Sequence, residues 1–201
     1  MKTRLVLIGS LTIMAGLIIF AAFFKEAFIA LLYRPALHPH VLFVHIVATT
    51  LFFANAVLGM LWESRSLASG RRDVILHTYS TVAWLDAHLS SPLIIISVMA
   101  GLMLSFLMGD PWQIRWLSTS FLLFMLSGVF WIVSDIPTQY KVKRLIASLD
   151  PADETLPVEL TRLLKLRLWI SLAGVAPLVV VFVLMVYKPG AMALPWIFTK
   201  Q

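Results

Sequence analysis

The chain has 201 residues, of which 60% are apolar and only 13% charged, against roughly half and a quarter in an ordinary soluble domain, so lipid is the expected solvent. It contains no cysteine, which excludes disulfides, thiolate metal sites, iron–sulfur clusters and cysteine nucleophiles. The net charge of +6 falls between apolar runs rather than along one stripe, and a membrane surface accounts for it without nucleic acid.

A spanning helix needs about 20 predominantly apolar residues, because a ~30 Å hydrocarbon core is crossed at about 1.5 Å per residue. About five stretches qualify, at residues 5–24, 41–62, 82–108, 114–135 and 166–187. The first is flanked by Lys2 and Arg4; it is longer than a usual signal core, and Ala21-Ala22-Phe23-Phe24 is a poor cleavage site, so it reads as an uncleaved helix. Each stretch contains a continuous apolar run rather than an alternating pattern, which predicts helices and not barrel strands. The expected fold is an all-α polytopic transmembrane helical bundle, a four-helix core plus an N-terminal helix, forming one membrane domain over residues 1–201.

Pro92 in the third span and Pro177 in the fifth each remove a backbone donor and predict kinks. Residues 136–165 contain Pro137, Asp150-Pro151-Ala152-Asp153-Glu154 and Pro157, and read as a cytoplasmic polar loop with short surface helices near 141–149 and 158–166. Lys and Arg concentrate at the amino terminus and in the two longer polar loops, which the positive-inside rule places in the cytoplasm, with the carboxyl terminus outside. Tryptophan placement agrees, with Trp62, Trp84 and Trp169 near the inner boundary and Trp112, Trp116 and Trp196 near the outer one.

Ionisable groups at membrane depth are functional candidates, and they sort into two layers. The outer layer is His38, His40 and His45, spaced H-x-H-x4-H, which offers nitrogen ligands to haem iron, copper or zinc. The alternative is that His38 and His40 face water while His45 hydrogen-bonds a neighbouring helix. Met103, Met108, Met185 and Met192 lie toward the same side, and thioether sulfur suits copper(I) or a haem. The inner layer is Glu63, Asp86, His88, Asp135, Lys165 and Arg167. Residues two apart on a helix point about 200° from each other, so Asp86 and His88 cannot face one point; Asp86 shares a face with Ser90 and is the better candidate for facing the bundle. This layer reads either as a proton-binding site or as an interfacial salt-bridge lattice. Asn55 is expected to hydrogen-bond across helices. The layers should lie on the order of 20 Å apart, too far to share one metal. No catalytic residue is assigned, and no phosphate loop, paired metalloprotease histidines or nucleotide fingerprint occurs.

From Leu37 to Pro189 the chain resembles the bacterial integral membrane proteins known as domain of unknown function 2269. The likeness runs through Val44-His45-Ile46-Val47-Ala48-Thr49-Thr50-Leu51-Phe52, Asp86 with Ser91-Pro92, and Ala100-Gly101-Leu102. It continues in Trp116-Leu117, Trp131 with Pro137 and Gln139, Trp169, and Met185-Val186-Tyr187-Lys188-Pro189. It implies a helical bundle in the bacterial cytoplasmic membrane and no particular activity. A fainter likeness links the second span to the HemJ-type protoporphyrinogen oxidases and the CopD copper-resistance proteins. In the former a histidine matching His45 is a haem ligand. Phe52-Phe53-Ala54-Asn55 stands where those relatives carry an aromatic-x-Gly, and Ser120 where the HemJ type carries a lysine; these departures tell against the HemJ reaction and leave haem b or metal binding at His45 open.

Three roles follow as expectations: an accessory or scaffold subunit of a membrane complex; a haem b redox protein ligated by His45; or a copper or proton-linked transport protein. The expected partners are the lipid bilayer and either a membrane protein or a second copy of the chain.

Overall fold

The computed structural model describes residues 2–32, 34–109, 111–150 and 155–189. Met192, Trp196, Lys200, the carboxyl terminus and Asp153-Glu154 lie outside the described residues. The described chain is helical, with no strand. Its elements are α1 (Lys2–Phe23), α2 (Lys25–Leu32), a 3₁₀ turn (Pro35–Leu37), α3 (His38–Ser69), α4 (Arg72–Leu85), α5 (Ser91–Leu107), α6 (Arg115–Phe130), α7 (Ile136–Ala147) and α8 (Val158–Tyr187). Among these residues four stretches are long and apolar enough to cross a membrane: Pro35–Ser69, Arg72–Leu107, Arg115–Ala147 and Val158–Tyr187. A fifth would be the pair Ile8–Phe23 and Lys25–Leu32, which is bent by 107° at its break.

Two π-helical turns interrupt this pattern, Asp86–Ser90 between α4 and α5 and Trp131–Asp135 between α6 and α7. Each stands just before a proline in the first turn of the next helix, Pro92 in α5 and Pro137 in α7. Proline has no N–H and its ring crowds the carbonyl four residues back. A turn widened by one residue relieves that crowding and lets the helix continue, and the Ser91 hydroxyl donates to the Asp86 carbonyl at 2.9 Å. Pro177 is handled differently, for α8 runs on through it. There the Ser127 hydroxyl donates to the carbonyl of Gly174, a site where a Cβ would lie 3.7 Å from the Phe130 ring.

The contacts divide the chain into two compact units. Of the described residues, the first takes those within 2–55 and 83–118. In it α1 and α2 pack on α5, joined through Phe28, whose ring is 5.9 Å from Phe20 and 5.2 Å from Phe106. The exposed Lys25 lies with its ammonium 5.9 Å from the Phe106 ring centre, within reach of a cation–π contact.

Of the described residues, the second unit takes those within 56–82, 119–150 and 155–189. Ile75 and Tyr79, one turn apart on α4, meet Val142 of α7 and Leu160 and Leu164 of α8 in a buried apolar core, the i, i+4 spacing placing each pair on one helix face. Residues 136–165 are therefore largely helix. α7 begins at Ile136, directly after the π turn, and the helix near 158–166 is the first part of α8 rather than a separate surface piece. Pro137 does not start a loop because the first turn of a helix has no use for its missing N–H. Gly70, with φ of +65°, ends α3 in the left-handed conformation that a glycine adopts without strain.

Trp62, Trp84, Trp112 and Trp169 are exposed, as anchors at a membrane interface require, whereas Trp116 is buried.

Leu164 is fully buried and Leu166 is exposed, so Leu164→Ala should lower the stability of the detergent-solubilised protein by about 2–5 kcal/mol and Leu166→Ala by less than about 0.5 kcal/mol. Thermal unfolding compares them, and equal effects would contradict the packing of this core.

Candidate functional site

In the second unit the structure gathers three of the inner ionisable residues. The Arg167 guanidinium donates from Nη1 to Glu63 Oε1 at 2.5 Å and from Nε to Asp135 Oδ1 at 3.2 Å. All three residues are almost wholly buried, at 3%, 1% and 1% relative exposure. Glu63 comes from α3, Asp135 from the end of the second π turn and Arg167 from α8, so one guanidinium joins three elements. Two further groups complete the junction. Gln139, one turn beyond Asp135, donates from Nε2 to the other carboxylate oxygen at 2.7 Å. The Tyr79 ring centre lies 5.4 Å from Arg167 Cζ, and the Tyr79 hydroxyl donates to the Leu164 carbonyl at 3.3 Å.

The chemistry of arginine suits this place. Its planar fork carries five donors and is always charged, and a buried charge is tolerated only with partners that satisfy it. Lys165, two residues earlier on α8, points away and is exposed. The junction is thus made of Glu63, Asp135 and Arg167, while Asp86 and His88 belong to the first unit. Tyr79 and Gln139 are not among the candidate site residues that the sequence singles out, although Gln139 lies in the family likeness. The available signals were the i, i+4 relation of Gln139 to Asp135 and of Tyr79 to Ile75.

In the first unit, His45 of α3 lies against α5. Its Nδ1 is 2.9 Å from the Ser97 carbonyl. A carbonyl only accepts, so Nδ1 carries the hydrogen and the neutral ring keeps its lone pair on Nε2. A Cβ on Gly101 would stand 3.0 Å from His45 Cε1, so the imidazole fits because position 101 is glycine. Thr49, one turn after His45, donates to the His45 carbonyl at 2.7 Å and shares a 2.6 Å hydrogen bond with the Ser97 hydroxyl. Small residues four apart on α5, Ser97 and Gly101, permit this close approach. That spacing was the available signal for a contact the sequence reading left without a partner.

Asn55 donates to the Ser90 hydroxyl at 2.8 Å, joining α3 to the first π turn. Asp86 is half-buried. His88 is exposed; its ring stacks 4.8 Å from Trp84 and its Nδ1 donates to the Trp84 carbonyl. His38 and His40 are exposed in the first turn of α3. Among the described residues no three His, Asp or Glu side chains are placed to hold a metal ion, so His38, His40 and His45 are not gathered into one ligand set. Met103 and Met108 belong to the unit that contains His45, and Met185 to the other.

Helices long enough to span a bilayer, joined by buried polar contacts, define a polytopic helical membrane protein. Residues 39–189 match the family described as predicted integral membrane protein (DUF2269), and the chain belongs to that family. Comparison with curated proteins and with solved structures gave no match.

Arg167→Ala leaves two buried carboxylates without their shared cation and should destabilise the protein by about 3–5 kcal/mol, while Lys165→Ala should change stability by less than about 0.5 kcal/mol. Thermal unfolding in detergent distinguishes them; similar effects would mean that Arg167 is not the buried member. At the other contact, Gly101→Ala should destabilise the parent, and the loss should shrink in a His45→Ala background by about 0.5–3 kcal/mol of coupling. An additive cycle would contradict the His45–Gly101 contact.

Proposed function

We propose that this chain is an accessory or scaffold subunit of a complex in the bacterial cytoplasmic membrane, with a multi-pass fold whose amino terminus is cytoplasmic. The observation that carries this reading is the pairing of Arg167 with both Glu63 and Asp135. Ionisable groups at depth serve substrate pathways or helix joining, and here they face one another within a closed junction of one chain. His45, Thr49 and Asn55 likewise bond neighbouring elements. Apolar side chains of α3, among them Phe43, Ile46 and Leu51, point outward, where lipid or the helices of a partner meet them.

A second reading, haem b ligated by His45, is favoured by one specific feature. A metal-ligating histidine typically donates its other ring N–H to a carbonyl or carboxylate, which fixes the ring and frees the ligating nitrogen. His45 does this through Nδ1 and Ser97. The residue thus fits an axial ligand to haem iron, which would supply one-electron chemistry when bound.

Both readings are checked on one mild-detergent preparation from the native membrane. The accessory reading expects a co-purifying membrane partner and a colourless sample. A Soret band lost in His45→Ala would replace it with the haem reading, and a chain that purifies alone and colourless would contradict both.

A further inference from the structure

We infer that α7 and the start of α8 form a binding surface for anionic phospholipid headgroups of the bilayer that the protein spans. The continuous stretch Arg115–Ala147 has 33 residues and is about 50 Å long, well beyond the ~30 Å hydrocarbon core. Its apolar part is 116–134, so the excess length is α7. α8 has 30 residues and is about 45 Å long; its apolar part is 168–187, and its excess is the segment before Arg167. These two segments pack together around Val142, Leu160 and Leu164. At about 1.5 Å per residue, Lys141 stands roughly 10 Å beyond the apolar part of α6, and Lys165 and Arg162 stand about 5–9 Å beyond that of α8. Headgroups extend about 5–8 Å beyond each face of the hydrocarbon core; Lys165 and Arg162 stand at about this height, and the cations of α7 stand just beyond it, within a Debye length of about 8 Å.

The charge at that height is one-sided. α7 contains Lys141, Lys143 and Arg144 and no acidic residue. These three side chains are exposed, as are Arg162 and Lys165 on α8. None of the five forms an ion pair among the described residues, and Glu159 is the one acidic residue in the first turn of α8. Thr138 and Val142 are the buried residues of α7, so the cations lie off its packed face. Exposed cations at and just beyond headgroup height, on helices that cannot withdraw from the membrane because they continue into spans, match phosphate-bearing lipids by charge and by position.

The test is electron spin resonance of the full chain reconstituted in phosphatidylcholine, with spin-labelled phosphatidylglycerol or spin-labelled phosphatidylcholine as the probe. One cation near an anionic leaflet contributes about a fivefold preference, so the motionally restricted fraction should favour phosphatidylglycerol by about fivefold or more. The preference should fall toward unity in Lys141→Ala/Lys143→Ala/Arg144→Ala and in about 0.5 M salt, where screening acts within ~4 Å. The salt series on the unaltered chain keeps the result decisive if the variant does not fold. Equal association of the two lipids, or a preference that survives both the variant and salt, would overturn the inference. Absence of lipid preference together with binding of polyglutamate would overturn it in favour of an acidic protein partner.

Discussion

The constraint on which the second unit depends is the burial of the Arg167 charge. A guanidinium cannot be neutralised in a protein and cannot be left bare in an apolar interior. Its position on α8 therefore obliges α3 and the second π turn to deliver a carboxylate each. The rest of the junction follows from that demand. Gln139 holds the Asp135 oxygen that Arg167 Nε leaves free, and Tyr79 presents its ring to the guanidinium while its hydroxyl reaches the backbone of α8. Leu164, one turn before Arg167, then falls in the apolar core with Leu160, Ile75 and Val142. Charge pairing and apolar packing meet on the same face of α8.

Proline shapes both candidate regions without breaking a span. The π turns before Pro92 and Pro137 add a residue to a helical turn and so change the direction of every side chain that follows. Asp135 closes one of these turns and Asp86 opens the other. Ser90, at the end of the first, receives the Asn55 hydrogen bond. His45 illustrates the complementary device, in which a missing side chain admits a large one: the imidazole occupies the space above Gly101 and takes its orientation from the Ser97 carbonyl.

Much of this was legible in the sequence, and the parts that were not have physical reasons. Spans are written as long apolar runs because lipid admits little else, so helix and membrane class follow from residue types alone. The members of the ionic junction were also visible, since Glu63, Asp135 and Arg167 stand out in apolar surroundings. Their pairing was not. The choice between Arg167 and Lys165 depends on the phase of α8, and the direction of Asp135 depends on a π turn that shifts the phase of its own helix without altering composition. Residues 136–165 read as a loop with only short surface helices because their prolines and charges outweigh a short apolar face. That face becomes apparent only once Val142, Leu160 and Leu164 are brought together in space. His45 was recognisable as a polar group needing a partner, yet its acceptor is a backbone carbonyl, which no sequence displays.

The most direct measurement of whether these buried charges join helices or act on a ligand is replacement of the whole junction by apolar residues of similar size, Glu63→Met, Asp135→Leu and Arg167→Met in one chain. A junction that only joins helices can be exchanged for apolar packing at little cost or with a gain. The expected result is a folded protein, close to the parent in thermal stability, that still co-purifies with the parent's partners. A folded variant that has lost those partners would contradict the structural role and show that the charges themselves are recognised.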